Sequence, residues 1–150
     1  MTLAIKEAWK TIRAMSGGPF GACIVKDGEV IACAHNTVLK NDATCHAEVN
    51  AIRKASKKLG TFDLSGCVIY STTEPCPMCF SAIHWAKIKK IIYGTSIEDA
   101  EKVGFNELPI SNQKLKDLAK IKVRLVPHFM RDECQALFDS WRAQSHKKLY

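Results

Sequence analysis

The 150-residue sequence has no run of the ~18 or more uncharged apolar residues that a membrane-spanning helix needs. Nor does its start read as an export leader. Met1 to Trp9 carry Lys6 and Glu7 inside their apolar pattern and lead to no small-residue cleavage site, so the stretch reads as helix and the chain is expected in the cytoplasm. Glycine and proline are sparse, 8 and 5 residues, and there is no repeat, low-complexity tract or Gly/Ser linker, which excludes collagen-like, repeat and disordered architectures. Acids are the minority charge: 15 Asp and Glu stand against 22 Lys and Arg, a net +7. With 47% hydrophobic residues and a mean hydropathy of −0.10, the expectation is one globular domain over residues 1–150. A chain of this length buries roughly 70% of its unfolded surface, enough for a core without disulfides. Cysteine is not scarce. Seven of them, without an export signal, argue for reduced thiols and for a metal site.

Hydrophobic periodicity divides the chain. Leu3, Ile5, Ala8, Trp9 and Ile12 recur at helical spacing between Thr2 and Met15, closed by Ser16-Gly17-Gly18-Pro19. Phe20 to Val25 and Val30 to Ala34 flank a D-G turn, which predicts a hairpin. A second helix is predicted from His46 to Leu59, ended by Gly60, then a strand over Cys67 to Tyr70. A helix from Pro77 to Ala86 opens on proline, and Lys90 to Tyr93 is a further strand. Beyond it the pattern predicts a short helix (Glu98 to Gly104), a longer one (Ser111 to Lys120), a last strand (Val123 to Val126) and a terminal helix (Met130 to Ala143). Alternating strands and helices imply right-handed crossovers. The fold class is α/β, a three-layer α-β-α sandwich on a five-stranded mixed sheet.

Cys23, Cys33, Cys67 and Cys134 each sit singly in apolar stretches and read as small buried hydrophobes. Cys76 and Cys79 form a C-x-x-C pair, a spacing shared by redox, zinc and iron–sulfur sites. His46-Ala47-Glu48 opens the second helix and Pro75-Cys76-Pro77-Met78-Cys79 opens the third. Helix N-termini bring unpaired N–H groups and a positive dipole end that lower thiol pKa values. One imidazole and two thiolates supply three zinc ligands and leave a fourth position for water, whose pKa falls to roughly 7. A fourth protein ligand would make the site inert, and Cys45 is the nearest candidate for one, but its side chain leaves the backbone in a different direction from that of His46. Glu48 is two residues from His46, so it is not a same-face chelator and suits proton transfer instead. An isolated Glu there would be only a first-turn acid favoured by the dipole.

His46-Ala47-Glu48 and Thr73-Glu74-Pro75-Cys76-Pro77-Met78-Cys79 together resemble the cytidine deaminase superfamily of zinc deaminases, whose signature is H-x-E…P-C-x-x-C. The resemblance covers nearly the whole chain. It implies a cytidine deaminase-like fold and one zinc ion per subunit on His46, Cys76 and Cys79. Glu48 would shuttle protons while a metal-bound hydroxide adds to the ring carbon and ammonia leaves.

Finer matches resemble the bacterial guanine deaminases of this superfamily: Gly17-Gly18-Pro19-Phe20-Gly21-Ala22, Asn41-Asp42-Ala43-Thr44, Ile83-His84-Trp85-Ala86 and the ending Lys147-Lys148-Leu149-Tyr150. They imply conversion of guanine to xanthine and ammonia, with a free purine base as partner. Under that resemblance Asn36 and the Ala47 N–H recognise the base, Phe20 and His46 stack on it, and Trp85 narrows the mouth where tRNA enzymes usually carry histidine. Glu107 would be a second catalytic acid. The tail 145–150 would be exchanged between the subunits of a homodimer, with Tyr150 closing the partner's pocket. Two alternatives stand beside this: a nucleoside or tRNA adenosine deaminase of the same superfamily, and a catalytically silent zinc protein that binds nucleic acid. The basic residues are spread along the chain and mixed with acids, so charge gives little support to a nucleic-acid partner.

Overall fold

The computed structural model describes residues 1–145 and Lys148. Five strands form one sheet in the order β2-β1-β3-β4-β5. β1 (Gly21–Lys26) and β2 (Glu29–His35) are the expected hairpin, turned by Asp27 and Gly28, both with positive φ. β3 (Cys67–Thr73) pairs antiparallel with β1 and parallel with β4 (Lys90–Thr95), which pairs parallel with β5 (Arg124–Val126).

Helices cover both faces. α2 (Ala47–Leu59) and α3 (Pro77–Trp85) press Ala51, Ala55, Phe80 and Ile83 onto a core built on Ile24, Ile69 and Ile91. On the opposite face α1 (Thr2–Ala14) and α6 (Arg131–Arg142) close a second core of Ala8, Ile12, Leu137, Phe138 and Trp141. α1 lies so close to β1 that a Cβ on Gly21 would stand 2.0 Å from the Ala4 carbonyl oxygen, which only glycine permits. Two helices, α4 (Ile97–Lys102) and α5 (Asn112–Ala119), lie between β4 and β5 as the two helical patterns there predicted.

β3 runs on to Thr73 and β4 to Thr95, beyond the apolar stretches read as strands. Apart from Gly94, the added residues are polar yet buried, each with a partner. Thr72 Oγ1 accepts from the Gly21 N–H at 3.1 Å, and the Thr73 and Thr95 hydroxyls bond each other at 2.9 Å. The reading of all lone cysteines as reduced is corrected at one place. Cys23 and Cys33 are Cα partners across β1 and β2 and are joined as a disulfide, because the hairpin register sets them directly opposite. Cys67 and Cys134 are free, buried thiols, as expected.

Candidate active site

Segments from four elements meet at one end of the sheet. Phe20 precedes β1, Asn36 follows β2, Glu74 to Cys76 follow β3, and Ser96 follows β4. This is the end where parallel α/β sheets place their ligands, outside the carboxyl ends of the strands. His46 is the N-cap of α2 and Cys76 the N-cap of α3, both with extended backbone. Neither side chain caps its own helix, so both are available to a ligand. Cys79 sits in the first turn of α3, fully buried.

His46 Nδ1 lies 3.6 Å from Cys76 Sγ and 3.5 Å from Cys79 Sγ. The three donor atoms fall within 4.8 Å of one another. Bonds of about 2.0 Å to nitrogen and 2.3 Å to sulfur at a tetrahedral angle put N and S about 3.5 Å apart. The donor set therefore fits zinc in both chemistry and spacing. Cys45 is elsewhere: its Sγ is 3.4 Å from Asp42 Oδ2 and 3.4 Å from Arg53 Nη1. The hydrogen bond from Cys79, helped by His46 and opposed by burial, holds the Cys76 thiol down at about 4. Cys79 is correspondingly driven up, by that same bond and by burial. Burial works against protonation of His46, but the Cys76 hydrogen bond and the charges of Glu48 and Cys76 outweigh it and raise its pKa.

Glu48, in the first turn of α2, is 6% exposed. Ser71 Oγ donates to its Oε1 at 2.9 Å, while Oε2 stands 3.5 Å from Cys79 Sγ. Burial raises its pKa, so the carboxyl holds a proton more readily than an ordinary glutamate. Glu107 is pushed up to about 7, first by burial and then by the Cys76 charge. The two carboxyls have different surroundings: one is pinned beside the donor triangle, the other stands on the segment between α4 and α5.

A cavity of about 250 Å³ joins these groups. His46, Glu48, Cys76, Phe20 and Glu107, all singled out in the sequence, line it. Asn36 is fully buried and is not among the residues that line the cavity, although its neighbour Val38 is: Oδ1 accepts from the Val38 N–H at 3.0 Å, and Nδ2 has no partner among the described residues. A Cβ on Gly17 would come within 2.0 Å of that Oδ1, so glycine is what lets the amide sit there. Ala47, the first residue of α2, is fully buried, and its N–H is among those a helix leaves unsatisfied within itself.

Trp85 is not among the residues that line the cavity. It is 76% exposed and lies in a surface groove with Leu115 and Ile121, away from the cavity. It follows Cys79 by six residues, about 9 Å along the helix and roughly 240° around it, so the helix that buries Cys79 turns Trp85 outward. Tyr150, with 146, 147 and 149 of the tail, lies outside the described residues. Phe105 was not foreseen: it lines the cavity and packs edge-on against Phe20 at 4.9 Å. Only its place one residue before Asn106 and two before Glu107 could have suggested it.

The family model for the cytidine and deoxycytidylate deaminase zinc-binding region matches residues 1–95. A guanine deaminase of Bacillus subtilis is 42% identical over 98% of this chain and 94% of its own. A tRNA-specific adenosine deaminase of Bacillus subtilis is 32% identical over 99% of this chain and 89% of its own. A chain solved in complex with 2,6-diaminopurine superposes with a TM-score of 0.88 at 29% identity, over 99% of this chain and 82% of that one. With its H-x-E and P-C-x-x-C segments folded into one zinc-compatible triangle, this α/β chain belongs to the cytidine and deoxycytidylate deaminase family.

Proposed function

We propose that the chain is a zinc-dependent guanine deaminase that converts guanine and water to xanthine and ammonia. The observation that carries this reading is the buried Glu48 carboxyl set against the His46, Cys76, Cys79 triangle inside a cavity that also holds Glu107. At about 250 Å³, the cavity is smaller than the usual 300–1,000 Å³ of drug-sized ligand pockets and suits a single planar base. The full-length similarity to a guanine deaminase at 42% identity supports the same substrate.

One zinc ion per subunit, held by His46, Cys76 and Cys79, would supply an acidified water at neutral pH. Ser71 fixes the Glu48 carboxyl, so one group at one place takes a proton from water and delivers it to the ring and then to the departing amine. Its raised pKa matches that task. Asn36 Nδ2 is an unspent donor for the base carbonyl, joined by the Ala47 N–H. A buried donor left unpaired costs about 1–3 kcal/mol, so an analogue without that carbonyl is rejected. Glu107, near neutrality at about 7, accepts from the ring N–H and amine and passes protons toward ammonia. Phe20 and His46 supply faces for stacking. We further propose a single domain over 1–150, acting in the cytoplasm as a homodimer whose tail, 145–150, reaches the partner's pocket with Tyr150.

The full-length similarity to a tRNA-specific adenosine deaminase keeps that substrate in the test. Zinc-loaded protein is offered guanine, guanosine, adenine, cytosine, cytidine and tRNA in parallel, and ammonia release is followed. Rapid release from guanine with little from the nucleosides is expected, and turnover of tRNA alone would replace the reading. Glu48→Ala should lower ammonia release by about 10²–10⁴-fold while zinc stays bound. Activity retained in that variant removes Glu48 from the mechanism, and silence on every substrate would point to a zinc-binding module without catalysis.

A further inference from the structure

Glu74 is a buried carboxyl two residues ahead of Cys76 that the proposed chemistry does not use. Its backbone N–H donates to the Thr95 carbonyl at 2.8 Å, which ties the end of β3 to the end of β4. Its side chain reaches the other way. Oε1 accepts from the Asn112 N–H at 2.7 Å and Oε2 from the Ile97 N–H at 3.4 Å. Ile97 and Asn112 are the first residues of α4 and α5. Helix starts present N–H groups without intrahelical partners, so a carboxylate spanning two of them satisfies donors that burial would otherwise leave orphaned. A companion bond runs in the opposite sense: Asn112 Nδ2 donates to the Pro75 carbonyl.

The chain between those anchors, 97–112, carries Phe105, Asn106 and Glu107, which line the same cavity as His46 and Glu48. Glu74 lines it too, but both of its oxygens are taken by the two helix starts. We propose that Glu74 is a positioning residue that clamps both ends of this stretch and thereby sets Glu107 against the donor triangle. Substrate binding and proton transfer are left to other groups. The role of Glu107 rests on the guanine deaminase reading, whereas the clamp itself does not. Glutamine in place of Glu74 keeps the length but offers one oxygen where two are needed, and turns an N–H donor toward another donor.

The clamp is tested without turnover by hydrogen exchange on the full-length zinc-loaded protein. In Glu74→Gln, amides of 103–112 are expected to exchange about 10–100-fold faster, the scale of one lost buried hydrogen bond to a charged group, while those of 47–59 in α2 stay unchanged with zinc content. Acceleration throughout the chain, or none, overturns the proposal. If Glu74→Gln does not fold, Asn112→Ala, which removes the companion bond, is expected to give the same confined acceleration, and its absence overturns the clamp equally. Turnover adds a double-mutant cycle. Glu74→Gln should lower kcat/KM for guanine about tenfold or more alone, but less than about threefold in a Glu107→Gln background. Losses that multiply would assign Glu74 a task independent of Glu107 and overturn its positioning role. Absence of guanine turnover in the unmodified protein would fell the substrate reading and leave the exchange result to decide the clamp.

Discussion

Glu48 and Glu107 illustrate how surroundings divide labour between like residues. Both are buried enough to be raised, but Glu48 has a hydroxyl donor fixed on one oxygen and Glu107 stands across the cavity at about 7. An acid that must accept hydrogen bonds works when ionised, so activity should fall as pH drops through the Glu107 pKa. The Cys76 charge contributes to that raised value, and a bound cation offsets it, so the acid limb of kcat/KM for guanine is expected at or below about 7. Glu107→Gln should flatten this limb and lower kcat/KM about 10²-fold or more. An unchanged acid limb in that variant assigns it to another group. The clustering of His46, Cys76 and Cys79, with Glu48 beside them, was legible because the two segments carry the H-x-E…P-C-x-x-C pattern. The exposure of Trp85 was not, since which way a helical aromatic faces depends on which side of the helix the sheet covers.

Among the elements, α4 is too short to be held by its own hydrogen bonds and is secured from outside. Ser96 and Asp99 form a reciprocal capping box, and Arg131 at the start of α6 grips the Asp99 carboxylate through Nη1 at 2.7 Å and Nη2 at 3.1 Å. The Arg131 hydrogen bond, with those from Ser96, holds the Asp99 carboxyl well below the usual carboxylate range. A depressed carboxylate stabilises the fold at all pH values above its unfolded pKa of 3.8 and loses that contribution as pH falls below it. Asp99→Asn is therefore expected to cost about 1–3 kcal/mol at pH 7, measured by urea denaturation, with the deficit shrinking below pH 4. A deficit constant with pH would show that the charge is not what matters. The order of elements was readable from periodicity, but the ends of β3 and β4 were not. Ser71, Thr72, Thr73 and Thr95 are polar residues at buried strand ends, kept there by hydrogen bonds whose partners lie 22 to 51 residues away.

For the whole molecule, the donor triangle links the starts of α2 and α3, and through them β2 and β3, so zinc bound there would be coupled to folding. A ligand that binds only the folded chain at a thousandfold its Kd adds about 4 kcal/mol, and chelation should lower the melting temperature by about 10 °C. Coupling also has a proton count. Metal binding requires two thiolates and a neutral imidazole. At pH 7 the Cys76 proton is already gone at a pKa of about 4, while Cys79 keeps its own and His46, raised above 6.5, holds its proton more firmly than an ordinary imidazole. Zinc binding at pH 7 should therefore release about one to two protons: one from Cys79 and a part from His46. Calorimetric titration in buffers of different ionisation enthalpy measures this number directly. Raising the pH should bring it toward one as His46 deprotonates, and Cys79→Ser should remove most of what remains. A release near zero would mean that both thiols are already ionised in the metal-free protein, and that the hydrogen bond between Cys79 and Cys76 does not order their titration.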